Sequence, residues 1–171
     1  MDAFLAAVKA VSRACGVTAA LLVATSVLVV CHMVVLRYLL NESTLWQTDF
    51  VTYALVAATF VGCPYVLMLR GHVNVDLIPL FLPHRGRIAL ALLAALIGLL
   101  FCGVLAWKGF TLTLEAYHED WRSASVWKAR LWIPYAAIPV GLGLTCLQYV
   151  ADVLALLTGR DLPFGMQPHE R

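Results

Sequence analysis

Four long stretches of the chain contain no Asp, Glu, Lys or Arg, and each holds at least 20 residues. An α-helix rises about 1.5 Å per residue, so about 20 helical residues cross the roughly 30 Å hydrocarbon core of a bilayer. Only 13% of the 171 residues are charged and 62% are hydrophobic, whereas about 25% are charged in an ordinary soluble domain. The pattern therefore predicts an all-α integral membrane protein with four transmembrane helices. The charge-free stretches are residues 14–36, 50–69, 88–107 and 131–151.

The connections between these stretches are short. The longest covers residues 108–130, which is too little chain for a soluble catalytic or nucleic-acid-binding domain. We therefore expect residues 1–171 to form a single four-span membrane domain. With their polar flanks included, the spans are predicted near residues 14–37, 49–69, 88–108 and 131–152.

The N-terminal residues combine apolar and polar positions at helical spacing. Phe4, Val8 and Val11 fall on one side of a helix, and Asp2 and Lys9 fall on others. This spacing predicts a short amphipathic helix in the membrane interface, with a frayed terminus as the alternative.

The distribution of cations favours one orientation. An even number of spans places both termini on the same side, together with the connection between the second and third spans. That side carries seven Lys and Arg residues and the other side carries five. Because loops rich in Lys and Arg stay in the cytoplasm, we expect both termini to be cytoplasmic.

The predicted spans offer little chemistry. Within the charge-free stretches, His32 is the one histidine. A membrane haem would need a second histidine at matching depth, and no such partner accompanies His32. All five cysteines lie in the charge-free stretches and no CxxC pair occurs, so neither a disulfide framework nor a metal site is expected. We predict no catalytic, substrate-binding or metal-binding residue, no cofactor and no enzymatic activity.

The most distinctive stretch follows the second span, where residues 70–76 read RGHVNVD and Leu82-Pro83 follow. One interpretation is a cytoplasmic turn, in which Gly71 reverses the chain and Asp76 caps a short amphipathic helix at residues 77–81. The other interpretation gives these side chains a function: Asp76 pairs with Arg70, or His72 contacts a partner. The sequence leaves both open.

This stretch resembles the cytoplasmic signature of the small membrane subunit, DctQ-like, of tripartite ATP-independent periplasmic (TRAP) transporters. The first span ends in an Arg-Tyr pair, as in that family, and a Trp precedes an acidic residue before the second span. Here Thr48-Asp49 stands where the family has two acidic residues. Further matches lie in the second span and near the C-terminus. The signature and interface candidates are Arg37, Trp46, Asp49, Gly62, Arg70, Gly71, His72, Asp76, Pro83, Pro134, Pro139 and Gly141.

The resemblance implies an accessory role. Such a subunit packs against a large multi-span membrane subunit, which holds the sodium and substrate sites, and a periplasmic substrate-binding protein delivers an organic acid anion. The expected location is the bacterial inner membrane, with lipid around the helices and no nucleic-acid partner. The connections at residues 37–49 and 108–130 would then face the periplasm. The alternative is an autonomous four-helix exporter acting as a homo-oligomer, which would need a titratable group facing its centre.

Overall fold

The structure, a computed structural model, describes residues 2–42, 44–69 and 84–158, which form four α-helices and no β-strand. All four helices are long and apolar enough to cross a membrane, which confirms the predicted all-α membrane fold. They are α1 (Asp2–Leu39), α2 (Gln47–Met68), α3 (His84–His118) and α4 (Trp132–Leu157).

The helices pack in a row rather than in a closed bundle. Helix α2 packs against α1 on one side and against α4 on the other, and α3 packs against α4. A smaller contact joins α1 to α4. The central pair is therefore α2 and α4, with α1 and α3 on the flanks.

Two helices are longer than the spans predicted from the charges. Residues 2–13 form neither a separate interfacial helix nor a frayed end, because they continue directly into α1. Val8 and Ser12 are buried there, so tertiary packing carries the helix past its charged residues. Helix α3 runs ten residues beyond Lys108, to His118. The amphipathic helix predicted at residues 77–81 lies outside the described residues.

The central contact brings two backbones together. A Cβ atom added to Gly141 of α4 would lie 2.2 Å from the carbonyl oxygen of Phe60 in α2. Only glycine permits this approach, since the obstacle is backbone and cannot rotate away. Small residues let membrane helices come close enough for strong van der Waals contact, which is the main force between helices in lipid.

Helix α3 also presents its small residues to its neighbour. These small residues recur every three or four positions and form the less exposed side of α3. Within this small-residue stripe, Gly98 lies against Tyr149 of α4 and Gly109 lies against Ile138 of α4. The large apolar residues of α3 are exposed on the opposite side. The stripe comprises Ala91, Ala95, Gly98, Cys102, Ala106 and Gly109.

A buried polar chain joins α1 to α4 near the two described termini. The Ser12 hydroxyl donates to Gln148 Oε1 at 2.7 Å, and Gln148 Nε2 donates to Asp152 Oδ1 at 2.8 Å. Gln148 is fully buried. Because a buried amide without partners is costly, this chain favours one register of α1 against α4.

We predict that Gly141→Ala weakens the fold while Gly143→Ala does not. A methyl group at residue 141 must push α2 and α4 apart, at a cost of about 1–3 kcal/mol. A Cβ atom at residue 143 meets nothing within 4 Å, so there alanine gains about 0.5–1 kcal/mol of helix propensity. The free energy of unfolding of each variant can be measured by titrating the detergent-solubilised protein with SDS while its helix content is monitored by circular dichroism. Equal stability of the two variants would contradict the central role of the Gly141 contact.

Candidate functional site

The loop between α3 and α4 forms a short hairpin that folds over the start of α2. Arg122 and Arg130 are bridged in antiparallel fashion. The Ser123 amide donates to the Ala129 carbonyl at 2.9 Å, and the Leu131 amide donates to the Trp121 carbonyl at 3.0 Å. These bonds satisfy much of the loop backbone and give it a defined shape.

Asp49 fastens this hairpin to α2. Its carboxylate accepts a hydrogen bond from the Ser123 hydroxyl at 3.1 Å and a second from the Ser125 hydroxyl. Asp49 lies in the first turn of α2, where the helix dipole also stabilises a negative charge. One half-buried carboxylate thus joins two segments that lie more than 70 residues apart in the chain.

Aromatic rings surround this hydrogen-bonded contact. The rings of Trp46 and Trp127 have centroids 6.5 Å apart, and Trp46 also meets Phe50 at 6.2 Å. Tyr117 stacks edge-on against Trp132 at 5.7 Å, at the same end of the molecule. Tryptophan and tyrosine concentrate at membrane–water boundaries, so this end of the helices fits a membrane surface. We call Trp46, Asp49, Ser123, Ser125 and Trp127 the loop clasp.

The structure brings two signature candidates, Trp46 and Asp49, into the loop clasp. Arg37 makes no hydrogen bond or ion pair with it among the described residues; it is exposed in the last turn of α1, where a cation interacts favourably with the helix dipole. Pro134 is buried in the first turn of α4, a position where its missing amide proton removes no helical hydrogen bond.

The remaining described candidates are packing residues. Gly62 of α2 faces Ala19 of α1, because an added Cβ would lie 3.3 Å from the Ala19 methyl group. Pro139 borders Gly109 of α3, and Gly141 makes the central contact. These three residues therefore lie on three different helix interfaces rather than at one site. Arg70, Gly71, His72, Asp76 and Pro83 fall outside the described residues, and their roles stay predictions.

The two serines of the loop clasp were not singled out from the sequence. A Ser-Ala-Ser run in a polar loop is a turn signal, but nothing local to it indicates a bond to Asp49. Among the described residues, no group of three or more His, Cys, Asp or Glu could hold a metal ion. His32 is exposed on α1, a flanking helix, and lies outside the central pair of helices.

Comparison with known proteins gives consistent relatives. The chain is 26% identical over 149 residues to the C4-dicarboxylate TRAP transporter small permease protein DctQ of Vibrio cholerae, covering 74% of this chain and 64% of that protein. The chain is also 26% identical over 124 residues to the C4-dicarboxylate TRAP transporter small permease protein DctQ of Rhodobacter capsulatus, covering 72% of this chain and 54% of that protein. The chain thus spans less than two thirds of the length of these two relatives.

A third relative is matched over most of both chains. The ectoine TRAP transporter small permease protein TeaB of Halomonas elongata is 26% identical over 162 residues, covering 95% of this chain and 80% of TeaB. The family model for the DctQ component of tripartite ATP-independent periplasmic transporters matches residues 26–159. That region includes α2, α3, the loop clasp and all of α4, together with the last third of α1. With well over half of its residues matched, the chain belongs to the DctQ family of tripartite ATP-independent periplasmic transporter components.

Proposed function

We propose that this protein is the accessory frame of a sodium-driven, binding-protein-dependent TRAP transporter that imports an organic acid anion across the bacterial inner membrane. The family match supports the transporter, and the family is one of transport components rather than enzymes. Relatives are named for C4-dicarboxylates and for ectoine. Small subunits of similar sequence thus serve different cargoes, which supports assigning the choice of cargo to the other components.

The observation that carries this proposal is the backbone contact at the centre of the row. Gly141 lies directly against Phe60, so α2 and α4 leave no passage between them at that level. The buried polar groups nearby bond to one another or to the backbone: the Thr145 hydroxyl donates to the Gly141 carbonyl at 2.8 Å. A centre filled in this way suits a rigid frame better than a substrate path.

The flanking helices supply surface for partners and lipid. Leu28 of α1 is 69% exposed and Leu100 of α3 is 67% exposed, and each is one of many apolar residues on an unpacked helix face. A row of four helices with two such faces can lie against a large membrane subunit on one side and against lipid on the other. The substrate and sodium sites belong to that larger subunit in this proposal.

The loop clasp gives the frame a fixed surface outside the membrane. With both termini in the cytoplasm, the clasp faces the periplasm, on the side where a binding protein delivers its cargo. Asp49 and its two serine partners would hold the hairpin still while the binding protein docks and leaves.

The first test is reconstitution. We expect liposomes that contain only this chain to take up neither C4-dicarboxylates nor ectoine under an inward sodium gradient. Addition of the large subunit and the binding protein should produce uptake that collapses when the gradient is removed. A matched preparation with the large subunit and binding protein, but without this chain, should show little uptake. Uptake by this chain alone would refute the accessory role.

A second test concerns orientation. In a variant whose five native cysteines are replaced, Val126→Cys should react with an impermeant maleimide in intact cells, because Val126 is 73% exposed at the hairpin tip. Thr158→Cys, just after α4, should react only after the cells are permeabilised. The reverse pattern would place the termini in the periplasm.

A third test addresses the clasp. Asp49→Ala removes the acceptor for two hydroxyls, and a hydrogen bond to a charged group contributes about 1.5–3 kcal/mol. Amide hydrogen exchange at residues 121–130 should therefore accelerate by about tenfold or more, and uptake by the complete transporter should fall. Asp49→Asn keeps a carbonyl acceptor, so its exchange rate at residues 121–130 should lie between those of Asp49→Ala and the unaltered protein. Glu115→Ala, at an exposed position of α3, is the control, and its exchange rates should match those of the unaltered protein. If Asp49→Ala also exchanged at the rate of the unaltered protein, a structural role for the loop clasp would be excluded.

A further inference from the structure

The hairpin between α3 and α4 has two different faces. Side chains of successive residues in an extended strand point to opposite faces. The Ser123 hydroxyl reaches Asp49 of α2, so the neighbouring Arg122 lies on the opposite face, directed away from α2. Burial follows the same alternation, because Ser123 and Ser125 are half-buried. Arg122 and Val126, on either side of them, are exposed. The outer face of the hairpin consists of four exposed residues, Arg122, Val126, Lys128 and Arg130.

Two arginines of the outer face stand directly opposite each other. The antiparallel bridge pairs Arg122 with Arg130. The backbone hydrogen bonds of this bridge are made by the residues on either side of the pair, so the two arginines form a non-hydrogen-bonded pair. In such a pair the Cα atoms lie about 4.5 Å apart and both side chains leave the same face. Because like charges in opposite positions repel, the hairpin makes this arrangement at a cost to its own stability.

Only one cation of the outer face is neutralised within the described part of the chain. Asp120 Oδ2 accepts hydrogen bonds from Arg122 Nε at 3.0 Å and from Arg122 Nη2 at 2.6 Å. The side chains of Arg130 and Lys128 have no ion pair or hydrogen bond to any described residue. The other carboxylate at the start of the hairpin, Glu119, accepts a hydrogen bond from an indole N–H group. The outer face is therefore left with uncompensated positive charge.

The tip of the hairpin adds apolar and aromatic surface next to these cations. Val126 is 73% exposed and Trp127 is 45% exposed. Trp127 also packs on Trp46, and the two hydrogen bonds to Asp49 hold the hairpin in place. The outer face is therefore presented in one defined shape. Arginine and tryptophan are enriched among the residues that dominate protein–protein binding, so this surface has a composition typical of a protein interface.

We propose that the outer face of the hairpin docks the substrate-binding protein, and that the binding protein meets Arg122 and Arg130 with surface carboxylates. The inference rests on the proposed function, which supplies the binding protein and places the hairpin in the periplasm. The uncompensated charge sets the chemistry of the partner, because a guanidinium group binds a carboxylate through two parallel hydrogen bonds. A carboxylate received beside the two arginines also relieves their mutual repulsion.

The position of the hairpin favours a protein carboxylate over a lipid phosphate. Lipid headgroups lie beside the helices, around the perimeter of the row. The inner face of the hairpin rests on Asp49, in the first turn of α2, and Trp127 packs on Trp46, the residue before α2. The outer face therefore lies beyond the start of a central helix. A water-soluble protein can reach this position directly.

Binding of the purified binding protein to the complete transporter in nanodiscs tests this inference. The double variant Arg122→Gln/Arg130→Gln should raise the Kd by about tenfold at low ionic strength, mainly through slower association, because complementary charges steer the encounter. Salt screens exposed charges, so the difference should nearly vanish at about 0.5 M salt. Arg130→Lys keeps the charge and should retain most of the affinity. Lys108→Gln, which removes an exposed cation of α3 outside the hairpin, is the control and should leave the Kd unaltered.

A photo-crosslinking amino acid at Val126 provides a readout that does not depend on the stability of the arginine variants. It should form an adduct with the binding protein, whereas the same amino acid at Leu28 on α1 should form none. An unaltered Kd in the double variant, or lipid adducts alone from Val126, would overturn the docking face. Failure of the binding protein to bind the unaltered transporter would instead refute the proposed function itself.

Discussion

The close approach of α2 and α4 is the contact on which the rest of the structure depends. Helices in a bilayer gain little from burying apolar surface, because lipid tails are as apolar as their side chains, and so their association rests on packing and hydrogen bonds. Gly141 lets α4 touch the backbone of Phe60. With this pair in place, α1 adds to the free side of α2 and α3 to the free side of α4. The row of helices, and the two outward faces it leaves, follow from that arrangement.

The loop clasp performs a similar task outside the apolar region, by different means. Water competes for polar contacts there, and a hairpin of 13 residues between α3 and α4 could adopt many shapes. Three kinds of contact hold this hairpin in one shape: its internal backbone hydrogen bonds, the two hydrogen bonds to Asp49, and the packing of Trp127 on Trp46. Because Asp49 is rooted in the first turn of α2, the hairpin is held by a central helix and not by a flanking one. The loop clasp thus fixes the position of the hairpin relative to the central pair, α2 and α4.

Hydropathy predicted the helices well because the signal is local: twenty uncharged residues in succession suffice to identify a span. The charges marked the predicted bounds of the membrane spans, and two helices, α1 and α3, continue beyond those charges. In α1, burial of Val8 and Ser12 against neighbouring helices extends the helix past Arg13. Gly141 was identified as a candidate by family resemblance alone. Its contact with Phe60 depends on how the helices pack, and the sequence does not indicate it. The pairing of Asp49 with Ser123 joins residues too distant in sequence for any local pattern to reveal.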